Sequence, residues 1–132
     1  MNSYLLDTHS LLWSIWQPEK LGLQAIAVLE NTENNVFVSG ITFWEISLKY
    51  SLGKLTLGCK PDDLLKVTDD MGFAKISLSL EEAALFYQLP KLAHKDPFDR
   101  MLIWQAISRD LVLISKDSQF NHYRQYGLQC IW

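Results

Sequence analysis

The sequence predicts an α/β fold with a largely parallel sheet. Short apolar runs alternate with segments of helical period, the pattern of strands buried on both faces by helices. No internal repeat, low-complexity tract or linker interrupts the chain. Its 132 residues suit one domain, over residues 1–132, with a single well-buried core.

Each element has its own signal. Ser3-Tyr4-Leu5-Leu6 is a short apolar run that stops at Asp7-Thr8, as a buried strand does on handing over to a capped helix. Ser10 to Trp16 reads as that helix, stopped near Pro18, and Leu21 to Asn31 as a second. Asn34-Asn35 turns the chain into the strand Val36–Val38, and Ser39-Gly40 opens a helix from Ile41 to Leu52, ended by Gly53. Beyond Gly58 and Pro61, Asp62 to Met71 is helical, Phe73 to Ile76 is a short strand, and Ser79 caps a helix through Tyr87. Pro97 to Arg109 carries the clearest helix signal, with proline at the first helical position behind Asp96. Leu111 to Ser115 is a buried-strand run, a short helical turn follows near Phe120, and Leu128 to Ile131 forms the last strand.

Composition narrows the class. An apolar fraction of 48% and a charged fraction of 20% are ordinary for a globular protein. The N-terminus lacks the basic region of a signal peptide, and no apolar run is long enough to span a bilayer, so the expected location is the cytoplasm. Cys59 and Cys130 form no CxxC pair and read as free thiols. A net charge of −3 argues against simple electrostatic binding of nucleic acid. Acids collected around cations escape that argument, because the cations attract phosphate.

The placement of the acids therefore decides the function. Asp7 and Asp117 stand at the C-terminal ends of predicted strands, where open parallel sheets bind ligands, although each can equally cap the helix that follows. Glu45 shares a helical face with Ile41, Trp44, Leu48 and Leu52, so it interrupts an apolar stripe. Its alternative role is an i,i+4 ion pair with Lys49. Asp99 precedes Leu102, Ile103 and Ala106 on another apolar face, while Asp96 is placed to cap that helix. Four carboxylates converging on one cleft need cations between them, and oxygen ligands suit Mg²⁺ or Mn²⁺. Such ions promote phosphodiester hydrolysis by activated water. His9, His94 and His122 lack metal-ligand spacing, and neither a GxSxG nor a P-loop motif is present.

The segments Leu5-Leu6-Asp7-Thr8-His9, Trp44-Glu45-Ile46-Ser47-Leu48-Lys49, His94-Lys95-Asp96-Pro97-Phe98-Asp99-Arg100 and Ile114-Ser115-Lys116-Asp117 resemble the PIN domain in order and spacing. The branch they most resemble is the VapC-type toxins of prokaryotic toxin–antitoxin pairs, and the likeness runs through the closing Ile131-Trp132. The resemblance implies a three-layer α/β/α fold with a four- to five-stranded, mostly parallel sheet. It implies Mg²⁺- or Mn²⁺-dependent endonucleolytic cleavage of RNA, a homodimer, and inhibition by a cognate antitoxin. The family's catalytic and metal-holding acids carry over onto Asp7, Glu45, Asp99 and Asp117, with Thr8, Asp96 and Ser115 in supporting positions. Arg100, His94 and Lys49 are candidates for contacts to substrate phosphate, with a surface or intersubunit salt bridge as the competing role for Arg100.

Five tryptophans stand out. Trp44 and Trp104 read as core residues, and Trp13 and Trp16 as part of an interface. A receiver domain would carry an adjacent acidic pair after the first strand, and a haloacid-dehalogenase-like phosphatase would carry Asp-x-Asp there. Asp7-Thr8-His9 offers neither. The remaining alternative is a non-catalytic PIN-like protein that binds RNA or a partner.

Overall fold

A computed structural model describes residues 2–92 and 94–132. Five strands, β1 (Ser3–Leu6), β2 (Asn35–Ser39), β3 (Ala74–Ile76), β4 (Val112–Ile114) and β5 (Gln129–Ile131), form one sheet in the order β3-β2-β1-β4-β5. Every pairing is parallel. The helices are α1 (Thr8–Trp16), α2 (Leu23–Glu30), α3 (Gly40–Ser51), α4 (Leu64–Asp70), α5 (Leu80–Leu85) and α6 (Pro97–Arg109).

The period-two alternation of the strands divides the core between the two faces of the sheet. Leu5, Phe37 and Leu113 point to one face, where they meet Leu102, Ile103 and Ala106 of α6. Tyr4, Leu6, Val36, Val38 and Ile114 point to the other, against Leu11 of α1, Ala25 and Val28 of α2 and Leu64 of α4. The result is the expected three-layer α/β/α arrangement, and it explains why the strands read as unbroken apolar runs. None of the helices among the described residues is long and apolar enough to cross a membrane.

Most boundaries follow from local chemistry. Asp96 caps α6 by accepting from the backbone N–H groups of Phe98 and Asp99, and Pro97 occupies the first turn. Gly22 permits a close approach: a Cβ there would lie 2.5 Å from the carbonyl carbon of Trp132. The second helix starts two residues later than expected because Leu21 and Gly22 are extended, Gly22 standing as its N-cap. The turn expected near Phe120 is a nine-residue 3-10 segment, Ser118–Tyr126. Its three-residue period stacks Phe120 and Tyr123 on one buried edge, which a single turn would not require.

Two expectations about apolar residues are corrected. Trp44 is 60% exposed, and Leu48 and Leu52 are exposed with it. The buried face of α3 is instead Ile41, Thr42, Glu45 and Ile46, so Glu45 borders the apolar stripe and does not lie within it. Trp104 is half-buried against the α6 core, and its indole N–H donates to the Glu82 carbonyl. Trp16 is exposed, whereas Trp13 is half-buried edge-on to Trp132.

Candidate active site

All five strands end at the same edge of the sheet. The chain leaves β1 toward β2 on one side and later returns as β4 on the other. Ligand crevices open at such a switch point, beyond the strand C-termini. Asp7 directly follows β1, and its backbone N–H donates to the Ile114 carbonyl at the end of β4. Ser115 follows β4, and its hydroxyl accepts from the Asp117 N–H at 3.1 Å. Strand ends thus fix both acids.

Asp7 is buried and caps α1, accepting from the Ser10 N–H at 2.9 Å. Burial pushes its carboxyl above the ordinary range, against hydrogen bonds from Ser10 and Ser115 that pull it down. The capping role and the inward placement therefore coexist. Glu45 is 3% exposed, and each of its oxygens has a partner. Thr8 donates its hydroxyl to Oε1 at 2.6 Å, and Lys49 donates from Nζ to Oε2 at 2.5 Å. Thr42, one turn before Glu45, brings its hydroxyl within 3.5 Å of that of Thr8.

Asp99 is raised as well. Its carboxyl is raised from 3.8 to about 6, first by burial and then by the Asp96 carboxylate, with Glu45 and Asp7 adding to the effect. Those three charges converge on Asp99 from β1, α3 and the start of α6. His94 opposes the rise, its Nε2 lying 3.0 Å from Asp99 Oδ2. The other ring nitrogen, Nδ1, lies 3.2 Å from Gln119 Oε1 and 3.9 Å from Asp117 Oδ2. His94, Asp99 and Asp117 each offer a ligand atom, all within 4.8 Å of one another.

The remaining expected residues divide clearly. Asp96 caps α6 through Oδ1. Lys49 is held on Glu45, one helical turn away. Arg100 turns from the acids: its guanidinium donates to the carbonyls of Leu89 and Pro90 and lies over the Phe86 ring at 4.9 Å. It therefore holds the 89–90 segment against α6, and neither a surface salt bridge nor a free cation describes it.

Sequence reasoning missed Thr42, Gln119 and the linking position of His94. Thr42 was recoverable, since a hydroxyl three residues before Glu45 shares its face. His94 lies in irregular backbone before α6 and Gln119 in the 3-10 segment after it, and no periodicity relates them. The Thr8 hydroxyl offers a direct check on the Glu45 placement. Thr8→Val keeps the shape and removes the hydrogen bond to a buried carboxylate, which is expected to cost about 2 kcal/mol in urea unfolding. An unchanged midpoint would show that Thr8 does not hold Glu45.

Comparison with known proteins agrees with this fold. The PIN domain matches residues 4–125. Ribonuclease VapC22 of Mycobacterium tuberculosis is 23% identical over 132 residues, covering 100% of both chains. Among solved structures, VapBC2 from Rickettsia felis bound to a promoter DNA fragment superposes with a TM-score of 0.70 at 18% identity, covering 98% of this chain and 97% of that one. DNA-bound VapBC from Salmonella typhimurium gives 0.63 at 22% identity, covering 99% and 98%. At these identities the structural likeness speaks to the fold.

Proposed function

The chain belongs to the PIN domain family, and on that premise we propose that it is a metal-dependent endoribonuclease, the toxin of a toxin–antitoxin pair. The observation that carries this reading is Asp99. Its carboxyl is driven to about 6 by burial among other acids, an arrangement that leaves negative charge to be balanced at neutral pH. Carboxylate oxygens from Asp7, Asp99 and Asp117 fit Mg²⁺ or Mn²⁺ by donor chemistry. Such an ion, when bound, lowers the pKa of water and offsets charge on the phosphate.

The chain's own residues divide the remaining work. Asp7, Asp99 and Asp117 would hold the ion, and Glu45, with Thr8 and Lys49 on its oxygens, would reach it through water. His94 orients Asp99, and Ser115 fixes the turn that carries Asp117. In-line attack by water on the phosphodiester would leave a 5′-phosphate and a 3′-hydroxyl. His94 and Lys49 remain within reach of substrate phosphate, whereas Arg100 is committed to backbone carbonyls.

The exposed apolar surface supports a protein partner. Trp44, Leu48 and Leu52 follow one another at four-residue spacing on and just beyond α3. Beside Trp44, Phe98 and Met101 line an apolar pocket. A cognate antitoxin and a second copy of the chain are the proposed occupants of such surface. The test of activity is direct: purified protein should cut mixed RNA with Mg²⁺ or Mn²⁺ and stop on chelation. Cleavage that survives chelation overturns metal dependence, and no cleavage under either ion favours a binding role.

A further inference from the structure

We propose that Lys49 is the resident cation on the Glu45 side of this site, so that the acidic cluster takes one divalent ion and not two. The inference rests on the metal-dependent reading above and concerns how many ions that site holds. Glu45 is buried, and its two oxygens are engaged by Thr8 and Lys49 at 2.6 and 2.5 Å. The Glu45 carboxylate is buried and the Lys49 side chain 38% exposed, so the pair is less open to water than one between two exposed side chains.

Helix geometry makes the arrangement intrinsic to the sequence. Lys49 lies four residues after Glu45, the favoured order for such a pair, and in the last turn of α3, where a cation suits the helix dipole. The same ammonium also senses the charges of Asp96 and Asp99, so it faces the cluster and not Glu45 alone. On the other side, ligand atoms of His94, Asp99 and Asp117 lie within 4.8 Å of one another, a set that neither Glu45 nor Asp7 joins. Two-metal phosphodiesterases keep their ions roughly 4 Å apart. A second ion placed to use Glu45 would have to displace Lys49. Lys49 thus supplies a fixed positive charge that is present before metal or RNA arrives, and it holds Glu45 in place as a positioning residue.

Counting bound Mn²⁺ tests this, by titrating the purified chain and following free Mn²⁺ by electron paramagnetic resonance. One ion per chain is expected in the wild type and in Lys49→Arg. Two are expected in Lys49→Met, and one again in the Glu45→Gln/Lys49→Met double variant. RNA cleavage by Lys49→Met should fall roughly tenfold at Mn²⁺ just sufficient for one ion and recover in part at higher Mn²⁺. A count of two in the wild type, or a folded Lys49→Met that still binds one, overturns the inference and leaves the metal-dependent reading intact. Absence of any Mn²⁺ binding overturns both. Should Lys49→Met fail to fold, the counts for wild type and Lys49→Arg decide the matter.

Discussion

Replacing Asp99 with asparagine is expected to make the metal-free protein more stable while removing its activity. In the folded chain this carboxyl is raised from 3.8 to about 6, so folding carries a penalty at neutral pH for keeping it ionised. The sign follows from proton binding. Between those two pH values the folded state keeps a proton that the unfolded state has lost, and stability falls as pH rises. Below 3.8 both states are protonated and the penalty disappears. Above about 6 both are ionised and it is fully present. With its side chain 23% exposed, screening trims the penalty to about 2 kcal/mol.

An asparagine side chain carries no charge, so Asp99→Asn should melt roughly 6 °C higher than the wild type at pH 7. The difference should shrink toward zero near pH ~3.5, where both forms are neutral. Mn²⁺ should stabilise the wild type and not the variant, because binding to the folded state alone raises stability by mass action. Cleavage should drop by at least ~100-fold, since even loss of an outer partner of a metal ligand costs roughly 10–100-fold. A variant that melts below the wild type at pH 7 would show that Asp99 is not a strained carboxylate.

The second large effect lies away from the acidic cluster. Glu82 is buried, and Arg109 donates to both of its oxygens, from Nε at 2.7 Å and from the second guanidinium nitrogen at 2.8 Å. Gln105 also donates to Glu82, and the Ser79 N–H completes a capping box at the start of α5. One carboxylate therefore ties α5 to α6. The Arg109 guanidinium holds its carboxyl down at about 2, against burial. Its contribution is fully present above 4.5 and is lost as pH falls through about 2. Arg109→Ala leaves this carboxylate buried with only neutral partners, and is expected to cost about 3 kcal/mol in urea unfolding at pH 7. Acid unfolding should begin at a higher pH than in the wild type. A loss under about 0.5 kcal/mol would show that water replaces Arg109 at no cost.

Strands and long helices were legible because they depend on local pattern. The apolar runs ending at Leu6, Val38 and Ile114 locate three strands, and Pro97 locates the start of α6 to the residue. The reading of Asp99 above an apolar face also held, since Leu102, Ile103 and Ala106 are all buried. The same reasoning misjudged α3. Trp44, Leu48 and Leu52 are apolar by composition and exposed by position, and periodicity does not distinguish a core face from an exposed one. Glu45 was placed inward through neighbours of which only Ile41 shares its burial, together with Thr42 and Ile46. The Lys49 pair, weighed as an alternative to a site role, exists alongside it. Contacts of His94 with Asp99 and Gln119 join segments 5 and 25 residues apart across irregular backbone, beyond what a linear pattern encodes.

The strand order also bears on when the acidic cluster can be completed during synthesis. β1 is the middle strand, yet its neighbour β4 is contributed by residues 112–114, and the Ser115 N–H donates to the Ile131 carbonyl at the end of β5. Chains are synthesised from the N-terminus, so Asp7 and Glu45 leave the ribosome long before Asp117 can join them. A nascent chain therefore cannot complete the acidic cluster until β4 and the turn that carries Asp117 have emerged. Competence waits on the joining of β4 to β1 and of β5 to β4.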